Sequence, residues 1–132
     1  MDEPTDFNEP LTILIVDDEP DIREFISYFL SHKGYRVFAA SNGREAVDIA
    51  KRVIPDLVIL DILMPEMNGY ETCRVLRSTP GLEMTRILFL SALSESYVGE
   101  ISDKLNADGF ISKPIRMGML VKKVEERIRR TG

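Results

Sequence analysis

The stretch Ile13-Leu14-Ile15-Val16-Asp17-Asp18-Glu19, residues 13–19, passes in one step from an unbroken aliphatic run to three consecutive acids. A short run with no polar alternation reads as a strand covered on both faces, as in a parallel sheet packed between helices. Working outward from it, five such runs divide the chain: Leu11–Val16, Arg36–Ala40, Leu57–Leu60, Ile87–Leu90 and Gly109–Ile111. The segments between and after them have helical character. Ile22, Phe25, Ile26 and Phe29 recur at helical spacing, as do Leu120, Val121, Val124 and Ile128, with a thinner stripe of Val98, Ile101 and Leu105. Pro20 suits a first helical turn and Gly34 a helix end. Asn42 with Glu45, and Asn68 with Glu71, each match a cap with its reciprocal acid three residues on. Strand–helix alternation repeated five times implies an α/β sheet with helices on both faces. In such open sheets, ligands bind beyond the carboxyl ends of the strands.

Four of those ends carry polar groups that a strand does not need. The first ends in Asp17, Asp18 and Glu19, the third in Asp61, the fourth in Ser91 and the fifth in Lys113-Pro114. The second ends in Ser41-Asn42, which reads as a helix cap alone. Each residue taken singly has a plainer reading: Asp17 and Asp18 as caps, Ser91 as a turn residue, Lys113 as a surface lysine. Their coincidence, one group per strand end, favours a site. Carboxylates gathered in one cleft repel each other unless a cation offsets them. Oxygen ligands without His or Cys point to Mg²⁺ rather than zinc or copper. Lys113 and Ser91 are suited to phosphoryl oxygens.

Composition bounds the rest. The chain has 132 residues, enough for one buried core and too few for two. No apolar run approaches the roughly 18 residues of a membrane span, and no signal peptide opens the chain. The lone Cys73 excludes an internal disulfide, fits a reducing compartment and is expected to pack in a helix. A cytoplasmic location is therefore expected. The net charge of −5 is unevenly spread. Residues 1–10 form an acidic tail, whereas Lys122, Lys123, Arg127, Arg129 and Arg130 are read as the solvated face of a last helix. With a sequence pI near 4.9, no direct binding of nucleic acid is expected.

ILIVDDE at 13–19, DILMPEMNG at 61–69, Ser91-Ala92 and Lys113-Pro114 together resemble the receiver domain of two-component response regulators, of the chemotaxis-regulator kind. The resemblance runs from about Leu11 to Arg130. It implies one doubly wound, flavodoxin-like domain over residues 11–130 with strand order 2-1-3-4-5. It implies Asp61 as phosphoacceptor, taking a phosphoryl group from the phosphohistidine of a sensor histidine kinase or phosphotransfer protein. Mg²⁺ (or Mn²⁺) is expected on Asp17, Asp18, Asp61 and the backbone carbonyl of Leu63. Lys113 would pair with the phosphoryl group, Ser91 would turn to bond it, and Phe110 is the matching aromatic switch position. Leu63 and Leu93 flank the water's route to phosphorus, Ala92 leaves room for access, and Pro114 matches a proline whose isomer the sequence does not decide.

The implied output is a changed surface of helix four, strand five and helix five, read by an effector or by a second copy in a phosphorylation-dependent homodimer. Two other classes stay open. An aspartate-based phosphatase would use the same nucleophile, yet it typically needs an acid two residues on, where Leu63 stands. A metal-binding or docking domain that never accepts phosphate is the other. His32, near the end of the first helix, is not expected to donate phosphate.

Overall fold

Strands β1 (Thr12–Val16) and β3 (Leu57–Asp61) are buried at every position, because each has a strand on both sides and helices over both faces. The computed structural model describes residues 9–128. The expected acidic tail thus lies almost wholly outside the described residues, as do Arg129 and Arg130 of the basic end. With β2 (Arg36–Ala40), β4 (Arg86–Ser91) and β5 (Phe110–Ser112), the strands form one parallel sheet in the order β2-β1-β3-β4-β5. That is the expected doubly wound architecture. Several boundaries moved by one residue: β1 starts at Thr12 and β4 at Arg86, Asp61 and Ser91 are the last residues of their strands rather than the first beyond them, and β5 runs one residue later. Pairing explains this, since Asp61 sits opposite Leu90 and Ser91 opposite Ser112.

Alternation along the strands makes two cores. Leu14, Val16, Val58, Leu60, Ile87 and Phe89 face α2 (Gly43–Val53), α3 (Gly69–Arg77) and α4 (Glu95–Lys104). Ile13, Ile15, Leu57, Ile59, Leu88 and Leu90 face α1 (Pro20–His32) and α5 (Met117–Arg127). Of the expected last stripe, Leu120 and Val124 on α5 and Ile128 just past its end are buried, whereas Val121 is only partly buried. On α1 the expectation needs correcting. Ile26 and Leu30 are buried, whereas Phe25 is 50% exposed and packs edge-on against Phe29 at 5.3 Å between centroids. A helix seats one narrow ridge on a sheet, and here that ridge ends on Leu30, leaving the aromatic pair at the rim.

The caps follow the sequence with one amendment. Asn68 and Glu71 form the full reciprocal box at the start of α3. Asn42 accepts the Glu45 N–H, but the Glu45 carboxylate goes to Ser41, accepting from its backbone N–H at 2.6 Å. Gly34 follows α1 at φ 99°, as a helix-ending glycine should. Cys73 is fully buried in α3. At the pole opposite the strands' carboxyl ends, Arg77 holds the carbonyls of Thr85 (2.5 Å) and Asn106 (2.9 Å) and the Asp108 carboxylate (3.2 Å). Asp108 also accepts the Ile87 N–H at 2.8 Å. No helix among the described residues is long and apolar enough to cross a membrane.

Candidate phosphoacceptor and metal site

Backbone pairing carries each strand end one step past the sheet. The Asp17 N–H donates to the Ala40 carbonyl (3.2 Å), the Ile62 N–H to Leu90 (3.1 Å) and the Lys113 N–H to Ser91 (2.7 Å). These bonds bring three side chains from β1, β3 and the end of β5 to one point. Lys113 Nζ lies 3.3 Å from Asp17 Oδ2 and 3.5 Å from Asp61 Oδ2. Asp18 joins the cluster from the exposed side, and carboxylate oxygens of Asp17, Asp18 and Asp61 all fall within 4.8 Å of one another. Lys113-Pro114 is a cis peptide.

The loop after Asp61 is shaped by close approach. The Leu63 N–H turns back to Asp61 Oδ1 at 3.3 Å, and the Gly69 N–H donates to the Ile62 carbonyl at 2.9 Å. A Cβ at Gly69 would sit 2.7 Å from Ile62 Cα and closer still to the Asp61 carbonyl oxygen. Only a residue without a side chain lets α3 start this near the acid.

Burial dominates the electrostatics. Asp61 is pushed up to about 6, first by burial and then by the Asp17 charge, against the pull of Lys113 and the Leu63 N–H. Asp17 is also raised by burial, partly offset by the Glu19 N–H on its Oδ1. For Lys113, burial favours the neutral amine, but the charges of Asp61 and Asp17 outweigh it and the ammonium is held more firmly than usual. Asp17 Oδ2, fully buried, receives no hydrogen bond from the protein. An all-oxygen donor set with a buried carboxylate oxygen that holds no hydrogen bond and pairs only at 3.3 Å with the Lys113 ammonium fits a hard divalent cation.

The remaining expected residues are dispersed around this centre. Ser91 is buried, but its Oγ accepts the Leu93 N–H at 2.8 Å, closing a turn of its own. Leu63 is 56% exposed and Leu93 partly buried, while Ala92 and Pro114 are exposed. Phe110 is half-buried at the sheet edge, with Lys123 Nζ 5.9 Å from its ring centre. Phe110, Pro114, Arg116, Met119 and Lys123 line an open groove of about 610 Å³. His32 is exposed on α1, its Nδ1 2.9 Å from the Tyr28 carbonyl oxygen. Sequence reasoning placed Glu19 at the strand end but gave it no part. The structure sets its Oε1 3.4 Å from Lys113 Nζ. The acidic run was the available signal.

Comparison with known proteins gives the family and the fold. A family model described as the response regulator receiver domain matches residues 13–125. The probable transcriptional regulatory protein TcrX of Mycobacterium tuberculosis is 33% identical over 125 residues, covering 94% of this chain and 52% of that protein. The chain spans about half the length of the curated relatives it matches. Among solved structures, Vibrio cholerae chemotaxis protein CheY4 superposes with a TM-score of 0.85 at 30% identity, covering 89% of this chain and 98% of that one. The signal receiver domain of a signal transduction histidine kinase from Syntrophus aciditrophicus gives 0.80 at 38% identity, covering 92% and 94%.

Proposed function

The chain belongs to the response regulator receiver domain family, and from that premise we propose that it is a phosphorylation-activated switch with Asp61 as phosphoacceptor. The observation that carries this reading is the convergence of Asp61 and Asp17 on Lys113 Nζ, each within 3.5 Å, at three strand ends. An Asp61 carboxylate oxygen attacks the phosphorus of a phosphohistidine on a sensor histidine kinase or phosphotransfer protein. The new O–P bond forms as the N–P bond breaks, and the freed imidazole takes up a proton. Asp17, Asp18, Asp61 and the Leu63 carbonyl would hold Mg²⁺ (or Mn²⁺), which when bound would neutralise charge on the transferred group. Lys113 pairs with a phosphoryl oxygen, and Ser91 leaves the Leu93 N–H to bond another.

That rotation vacates space into which the Phe110 ring moves, altering the surface of α4, β5 and α5. The phosphoryl group thereby biases two conformations through contacts made in one of them. The altered surface engages a downstream effector or a second copy. On this reading residues 11–130 act as a signalling switch whose only chemistry is gaining and losing its own phosphoryl group. Incubation with Mg²⁺ and acetyl phosphate followed by intact mass tests it. One phosphoryl gained, and none in Asp61→Asn, supports the proposal. Steady phosphate release without a labelled protein points to a hydrolase, and no change to a docking domain.

The lifetime of the signal follows from the rim. Leu63 and Leu93 cannot orient a water toward phosphorus, and they shade its approach. Leu63→Asn and Leu93→Glu are expected to speed phosphoryl loss roughly tenfold by positioning that water. The check is decay of the phosphorylated mass after the donor is removed; unchanged or slower loss in both overturns the idea.

A further inference from the structure

We propose that Glu19 is a positioning residue for transfer to Asp61: by holding Lys113 in the resting site, it withholds the ammonium from the incoming phosphoryl group. The inference rests on Asp61 being the phosphoacceptor. Lys113 Nζ stands 3.3, 3.4 and 3.5 Å from Asp17, Glu19 and Asp61. Committed ammonium–carboxylate bonds run at about 2.7–2.9 Å, so the ammonium is suspended among three acceptors. Glu19 takes it in hydrogen-bond geometry, and Asp17 Oδ2 meets it as an ion pair.

The three acids differ in what they can do next. Asp17 and Asp61 are buried at strand ends and cannot follow Lys113 if it moves. The Glu19 carboxylate side chain is 59% exposed. Its backbone is nonetheless fixed, with its N–H on Asp17 Oδ1 (2.9 Å) and its carbonyl accepting the Arg23 N–H (3.1 Å). Glu19 is therefore an arm on a rigid mount, and it is the partner that returns to water when phosphoryl oxygens claim Lys113. Breaking that pair slows the step.

Phosphorylation by acetyl phosphate at saturating Mg²⁺ tests this; a bond from Asp61 oxygen to phosphorus forms as acetate leaves. Glu19→Gln is expected to accelerate uptake roughly threefold, the scale of a partly exposed ion pair. Glu19→Asp should do the same, because an aspartate before α1 turns its shorter side chain to the first helical N–H groups. In the metal-free protein, the Lys113 ammonium nitrogen resonance should show faster exchange with water in both variants, a change that a merely structural role does not produce. Uptake by the unaltered chain with Glu19→Gln unchanged or slower overturns this proposal alone. Acceleration in Glu19→Gln but not in Glu19→Asp assigns the effect to net charge and also overturns it. No uptake by the unaltered chain overturns the Asp61 reading and this one with it.

Discussion

Asp61→Asn is expected to raise the stability of the metal-free chain at pH 7 by about 2 kcal/mol, a gain of several degrees in Tm, while abolishing phosphoryl uptake. The Asp61 carboxyl ionises at about 6 in the folded chain, against 3.8 as its ordinary value. Between those two pH values the folded state keeps a proton that the unfolded chain has released. Stability therefore falls as pH rises across that window, and above pH 6 the folded protein carries the full cost of a buried charge. At about 1.4 kcal/mol per pH unit the cost is roughly 3 kcal/mol, and the amide recovers most of it. Asp17, raised in the same direction, adds to the slope.

Urea melts with chelator present are the measurement. The two proteins should coincide near pH 3.5 and diverge by pH 7, with Mg²⁺ closing the gap by stabilising the unaltered chain. Equal midpoints at pH 7 would falsify this account of the site.

Gly69→Ala carries the second large effect. Its Cβ has nowhere to go, since the atoms it meets are the backbone of Asp61 and Ile62 rather than a yielding side chain. Relief requires α3 to move off the end of β3, taking the Ile62–Gly69 hydrogen bond with it. A loss of about 3 kcal/mol is expected. Displacing Asp61 by a fraction of an ångström should also slow phosphoryl uptake by about 10- to 100-fold. Gly118→Ala is the control: it lies in α5 with open space around its Cα, and should leave stability unchanged or slightly higher. Equal urea midpoints for the two alanine variants would dismiss close approach as the reason for Gly69.

Why Asp61 could be singled out while Glu19 could not is a matter of which forces act locally. Uninterrupted Ile, Leu and Val announce strands buried on both faces, and acids directly after them have one place to point. The capping box at Asn68 is likewise set within four residues. Phe25 and Ile26 are equally apolar, so only the sheet's shape decides that Ile26 is buried and Phe25 is not. Ser91 marks a strand end, but its bond to Leu93 N–H depends on the turn that follows. Glu19 reads as one acid of three until Lys113, 94 residues away, arrives beside it. Arg77 is similarly mute: nothing in its own helix says that it will gather the carbonyls of two other segments.

Those Arg77 bonds have a mechanical consequence for the message itself. The segment leaving α4 is bolted at Asn106 to α3, while the other end of α4 emerges from Ser91–Leu93, beside the acids. On the proposed switch, a helix clamped at one tip and pushed at the other would swing like a lever about its fulcrum. Ten residues give an arm of about 15 Å, so the proposed turn at Ser91 would be delivered as tilt along a face on which Tyr97 stands half exposed.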